Sequence, residues 1–122
     1  MPKLTKRLLK NSLLFLSISI TILIVILSLI NITQTIAISS SDKVQHAIAY
    51  FTLSFFWLLA LKDFKVKKVI ILIACIALGI VLECIQGLTP HRFFEYLDML
   101  ANTVGVILGY FAFITFVKLR SQ

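Results

Sequence analysis

Four long apolar stretches, separated by short charged ones, organise the chain. Leu13 to Ile32 is a run of about twenty residues without a charge, which at ~1.5 Å rise per residue spans a ~30 Å hydrocarbon core. The second run extends from Val44 to Leu61, interrupted near its start by Gln45, His46 and Tyr50. The third covers Val69 to Leu88, with Glu83 and Gln86 near its end, and the fourth covers Leu97 to Val117, with Asp98 and Asn102 near its start. Many of these positions are β-branched, which in water favours strands. In lipid a backbone must satisfy its own hydrogen bonds, so apolar runs of this length read as helices. The pattern predicts an all-α, polytopic membrane protein, a bundle of four transmembrane helices. Residues 1–12 form a basic N-terminus, 13–32 the first transmembrane helix, and 40–118 a unit with three more.

Composition supports this reading. The chain is 60% hydrophobic and 14% charged, with a mean hydropathy of +1.03, whereas soluble domains average about 45–50% apolar and roughly 25% charged residues. The first run also invites comparison with a cleaved signal peptide. Its basic flank fits one, and Ala37-Ile38-Ser39 is a tolerable small-x-small site. Its apolar stretch exceeds the usual ~7–15-residue signal core, so a retained helix is the expectation. The two cysteines, Cys75 and Cys84, lie two and a half turns apart in one helix, too far to bridge, and read as small apolar side chains.

Charge then sets orientation. The net charge of +7 is not spread as a nucleic-acid site would need, because no aromatic residues interleave with the basic ones. Of twelve basic residues, ten (Lys3, Lys6, Arg7, Lys10, Lys62, Lys65, Lys67, Lys68, Lys118 and Arg120) fall on one side if four helices alternate in direction. The positive-inside rule makes that side cytoplasmic, with both termini in the cytoplasm. Attraction to the anionic headgroups of the bilayer accounts for the rest of the charge. The acidic residues are distributed the other way. Asp42, Glu83, Glu95 and Asp98 map to the outer side, together with His46 and His91.

Helical spacing gathers these outer residues. Asp42, His46 and Tyr50 follow i, i+4, i+8; Gly79, Glu83 and Gln86 follow i, i+4, i+7; and Asp98, Asn102, Gly105 and Gly109 follow i, i+4, i+7, i+11. Each of the last three helices therefore carries a polar stripe at the same end. A polar group facing lipid at that depth costs several kcal/mol, about what it costs to leave it unpaired in an apolar medium, so the stripes are expected to meet in a shared pocket. Gly105-x-x-x-Gly109 suits close helix approach. Pro90 breaks the helix before an outer connection in which Phe93, Phe94 and Tyr96 suit the interface. Arg92 there either forks onto an anionic group of a ligand or pairs with Glu95 or Asp98.

Taken in order, Asp42-Lys43-x-x-His46-x-x-x-Tyr50, Glu83-x-x-Gln86 and Arg92-x-x-Glu95-x-x-Asp98-x-x-x-Asn102-x-x-Gly105-x-x-x-Gly109 resemble the VanZ-like family over roughly residues 40 to 112. These are small bacterial membrane proteins named after a teicoplanin-resistance accessory protein. The resemblance implies an association with reduced susceptibility to glycopeptides that act outside the cytoplasmic membrane.

Several readings of the pocket follow from the residues. In one, it binds or modifies a lipid-linked or peptidoglycan-related envelope molecule, or the glycopeptide itself. His46, whose unperturbed pKa lies near neutrality, then serves as acid or base. Glu83 takes or gives a proton, and Asp98 orients His46. Asp42, Lys43, Tyr50, Gln86, Arg92, Glu95 and Asn102 contact the ligand. No serine or cysteine stands in an activating motif, so enzymatic turnover is left open. In another reading the same side chains are a hydrogen-bond network that fixes the bundle. A third makes them a proton relay for transport, against which the cytoplasmic halves of the helices are almost uniformly apolar. No cofactor is expected. A divalent metal on His46, Glu83 and Asp98 is the weakest variant, because no HExxH-like signature accompanies them.

Overall fold

A computed structural model describes residues 3–30, 39–88 and 96–121. It contains four helices: α1 (Lys3–Leu29), α2 (Ser39–Ala60), α3 (Lys68–Gly87) and α4 (Tyr96–Arg120). No strand occurs among the described residues. α3 and the start of α4 match the apolar runs to within one residue. α1 begins ten residues before its apolar run, because Lys, Arg and Leu are strong helix formers and carry the helix through the basic segment. α2 likewise begins ahead of its run, at Ser39-Ser40-Ser41-Asp42, residues that favour helix starts.

Helix directions follow from cross-contacts. Lys43 and Asp98 pair near the beginnings of α2 and α4, and Ser54 bonds the Val106 carbonyl further along both, so these two helices run parallel. α1 and α3 run the opposite way: Gln86, near the end of α3, reaches the carbonyl of Ser28 at the end of α1. The bundle thus has a polar end, where α1 and α3 finish and α2 and α4 begin, and a basic end. At the basic end a tight turn joins α2 to α3, with Leu61 N–H donating to Trp57 O and Phe64 N–H to Leu61 O, both at 3.0 Å.

The molecule is apolar outside and carries polar groups inside. Phe15, Ile73 and Phe111 are at least 58% exposed, while Glu83, Gln86, Asp98 and Asn102 are at most 4% exposed. Apolar surface this extensive is unstable in water and suited to lipid. α1, α3 and α4 are long and apolar enough to cross a membrane. α2 does not reach that measure, because its first turns carry Ser, Asp, Lys, Gln and His. It contacts all three other helices, most extensively α4, and Lys43 and His46 in its first turns are part-buried there. The chain is a helical membrane protein.

The α2–α4 contact is a close one. A Cβ at Gly105 would collide with the Ala47 carbonyl oxygen and sit 3.0 Å from the Ala47 carbonyl carbon. One at Gly109 would collide with Ser54 Oγ and lie 2.7 Å from the Phe51 carbonyl oxygen. Without side chains at these positions, backbone meets backbone, which is how membrane helices gain packing energy. Gly79 on α3 is less constrained: its Cβ would meet side-chain atoms only, Asn102 Nδ2 at 3.1 Å, the Tyr50 ring at 3.2 Å and Asn102 Cβ at 3.3 Å. Gly105→Ala and Gly109→Ala should each lower stability by about 1–3 kcal/mol, as overpacking does, and Gly79→Ala by clearly less. Thermal unfolding in detergent checks the ranking; equal losses at all three would refute the backbone-contact account.

Candidate functional site

The polar end brings together side chains from three helices. On the first turns of α2, Lys43 and His46 face the first turns of α4, because Gly105 and Gly109 let the two helices close up further down. Lys43 Nζ donates to Asp98 Oδ1 at 2.5 Å. His46 Nδ1–H donates to Asn102 Oδ1 at 2.9 Å, which assigns the proton of the neutral ring to Nδ1. Its other nitrogen, Nε2, faces Asp98 Oδ2 at 3.7 Å, so a protonated ring has a carboxylate waiting for it. Asp98 therefore serves both neighbours, one through each oxygen.

Access differs along this chain of groups. The Lys43 side chain is 31% accessible and that of His46 16%, against 6% for Asp98. The cation and the imidazole are thus reachable from the end of the bundle, while the carboxylate that holds them is enclosed. An enclosed carboxylate is tolerated when charged partners and hydrogen bonds surround it.

Tyr50, one turn further along α2, and Glu83, near the end of α3, are both buried. Tyr50 and Asn102 pack over Gly79, so α2, α3 and α4 meet at that glycine, one turn from Glu83. Tyr50 is within electrostatic reach of the Glu83 carboxylate. The structure thus brings Lys43, His46, Asp98 and Asn102 into contact, with Tyr50 and Gly79 packed against Asn102 and Glu83 buried one turn along α3 from Gly79. Gln86 has a different partner: its amide donates to the Ser28 carbonyl of α1 at 2.6 Å. The side chain of Asp42, and His91, Arg92 and Glu95 altogether, lie outside the described residues. Among the described residues no three His, Cys, Asp or Glu are placed to share a metal ion. Cys84 is free and exposed, on the outside of α3 and away from its buried neighbour Glu83, and Cys75 is free and buried.

Three participants were not visible in the motifs. Ser54, fully buried, donates to the Val106 carbonyl at 3.1 Å and fills the space left by Gly109. Trp57 Nε1 donates to Thr21 Oγ1 of α1 at 2.8 Å. Ser28 accepts from Gln86 through its carbonyl, which no side-chain motif can report. The available signal was a small polar residue inside an aromatic run, Leu53-Ser54-Phe55-Phe56-Trp57.

Comparison with known proteins adds a family. The family model VanZ/LLP1 matches residues 3–117, taking in α1 as well as the motif-bearing helices. An uncharacterized protein of the fission yeast Schizosaccharomyces pombe is 27% identical over 103 residues, 83% of this chain and 64% of that protein. The chain thus spans less than two thirds of that relative's length. No solved structure matches.

The shared carboxylate makes a quantitative expectation. Lys43→Met leaves Asp98 enclosed without its cation and should cost about 1–3 kcal/mol of stability, less than a fully buried pair because Lys43 is partly solvated. Lys43→Met combined with Asp98→Asn should recover at least half of that loss. Thermal unfolding of the two singles and the double gives the coupling; strictly additive losses would mean the pair does not interact.

Proposed function

The chain belongs to the VanZ/LLP1 family, and on that premise we propose that its polar end binds or modifies a lipid-linked or peptidoglycan-related envelope molecule. The proposal includes its setting: four membrane-crossing helices in a bacterial cytoplasmic membrane, both termini inside and the Lys43–His46–Asp98–Asn102 cluster facing outward. Ten of the twelve basic residues at the other end of the sequence pattern support that orientation. The effect proposed for the cell is lowered susceptibility to a teicoplanin-type glycopeptide.

One observation carries the reading. His46 is held by Asn102 through Nδ1 and faces Asp98 through Nε2, yet keeps its side chain partly accessible. A network built only to join helices has no need to leave its titratable member open. An imidazole so placed accepts a proton at Nε2 from a ligand hydroxyl or phosphate, and Asp98 then stabilises the imidazolium. Lys43 offers the ligand a cation at the cost of its bond to Asp98. Cys84 points away and supplies no nucleophile, so the chemistry favoured is binding with acid–base assistance.

The structural reading has its own support, since Lys43, His46, Asp98 and Asn102 all find partners within the protein. A proton-coupled transporter is the third reading. It meets an apolar barrier of Leu53, Leu58, Ile71 and Phe113 in the lower half of the bundle. His46→Gln and Glu83→Gln decide among them when expressed beside the wild type in a glycopeptide-sensitive host. If the site acts on an envelope molecule, the wild type lowers teicoplanin susceptibility and both variants lose the effect at unchanged membrane levels. Variants that disappear from the membrane favour the structural reading, and a wild type without effect removes the antibiotic role. Alkaline phosphatase fused after Gln122 should be inactive; an active fusion reverses the assigned orientation.

A further inference from the structure

A second feature lies at the basic end, on the order of 25 Å along α2 from the Lys43–Asp98 pair. There the start of α1, the end of α2, the α2–α3 turn and the end of α4 enclose a cleft of about 610 Å³. Its walls include Lys3, Lys6, Arg7, Lys10, Lys62 and Arg120, with Asp63 as the one acidic lining residue. Topology signals need positive charge on one side of the membrane but do not need it gathered in a cavity from three separate parts of the chain.

The gathering is costly. Lys3, Lys6, Arg7 and Lys10 follow i, i+3, i+4, i+7 and so share one face of α1, where like charges four apart repel. Lys62 and Arg120 are brought to the same cleft from the α2–α3 turn and from α4. Among the described residues no ion pair neutralises these six groups. Two of them are held by aromatic rings: Lys10 Nζ lies 4.6 Å from the Phe64 ring centre and the Arg120 guanidinium 5.8 Å from that of Phe116. Rings of this kind fix a cation in place without cancelling its charge.

The remaining lining identifies the occupant. Leu9, Leu13, Leu59 and Ala60 form apolar walls beside the cations, at the level where the apolar part of α1 begins. A cavity that is cationic at its mouth and apolar toward the bundle matches a molecule with a phosphate at one end and acyl chains at the other. Basic pockets between membrane helices hold lipid headgroups in this way, and guanidinium forks onto phosphate oxygens. We propose that this cleft is a binding site for the phosphate headgroup of an anionic membrane lipid in the leaflet at the basic end. The site is distinct from the polar end and independent of what that end does.

The test is to titrate the purified full chain in zwitterionic detergent with short-chain phosphatidylglycerol, short-chain phosphatidylcholine and inorganic pyrophosphate, reading binding by thermal shift. Two variants lose the same charge. Lys6→Gln/Lys10→Gln/Arg120→Gln removes three of the six cleft cations, and Lys65→Gln/Lys67→Gln/Lys68→Gln strips exposed lysines at the same end that do not line it. The cleft variant should bind phosphatidylglycerol at least ten-fold more weakly, and the control within two-fold of wild type. The single change Arg7→Gln, on an exposed side chain, should weaken binding about three-fold and guards against a triple variant that misfolds. Phosphatidylcholine and pyrophosphate should each bind at least ten-fold more weakly than phosphatidylglycerol. Equal losses in the two triple variants would overturn the proposal in favour of diffuse charge attraction. Pyrophosphate binding as tightly as the lipid would overturn it in favour of a water-soluble anion, and undiminished binding to the cleft variant would overturn it outright.

Discussion

The closeness of α2 to α4 is the constraint on which the rest of the bundle depends. Lipid gives little apolar driving force for helices to associate, so contact area and polar bonds must supply it. Gly105 and Gly109 let the α4 backbone lie against the Ala47 and Phe51 carbonyls, and Ser54 fills the notch and bonds the Val106 carbonyl. That contact sets the relative height of the two helices. Once Gly105 is opposite Ala47, Lys43 stands opposite Asp98, and His46 is within reach of both Asp98 and Asn102. The polar site is therefore a consequence of a packing contact one to three turns below it.

This dependence explains why the least apolar helix is the central one. α2 brings Lys43, Gln45 and His46 into a bundle whose other helices are apolar over most of their length. Its placement against its neighbours gives Lys43 and His46 protein partners instead of lipid, while Gln45 stays on the exposed side. Asp98 and Asn102 on α4, and Glu83 on α3, are buried for the same reason. Polar groups concentrate at one end and cations at the other, leaving a middle made of Leu53, Leu58, Val106 and Phe113, which insulates the two.

Much of this arrangement was legible in the sequence. Runs of apolar residues gave the helices, since length alone decides in lipid. Spacing gave the three stripes, because residues four apart share a helix face wherever the helix sits. The pairings were less legible. Asp98 was expected beside His46 or Arg92, and it meets His46 but takes Lys43 as its close partner, which depends on the height difference between α2 and α4. Gln86 shares a face with Glu83 yet turns to the Ser28 carbonyl, a backbone acceptor that leaves no mark in the sequence. The α1 contribution was missed altogether: an apolar helix shows no stripe, and Thr21 reads as one more tolerated hydroxyl until Trp57 is found against it.

Those two bonds to α1 have a consequence of their own. A helix in water finds its heading because one side is greasy and the other is not. Beyond its basic first turns α1 is apolar nearly all round, so lipid gives that stretch little preferred azimuth. Trp57 on Thr21 and Gln86 on Ser28 grip it at two levels, roughly two turns apart, and from two different neighbours. Two such points suffice to lock a cylinder against both rotation and sliding. What looks like the plainest part of the chain is indexed like a key in its lock, by a hydroxyl and a carbonyl oxygen.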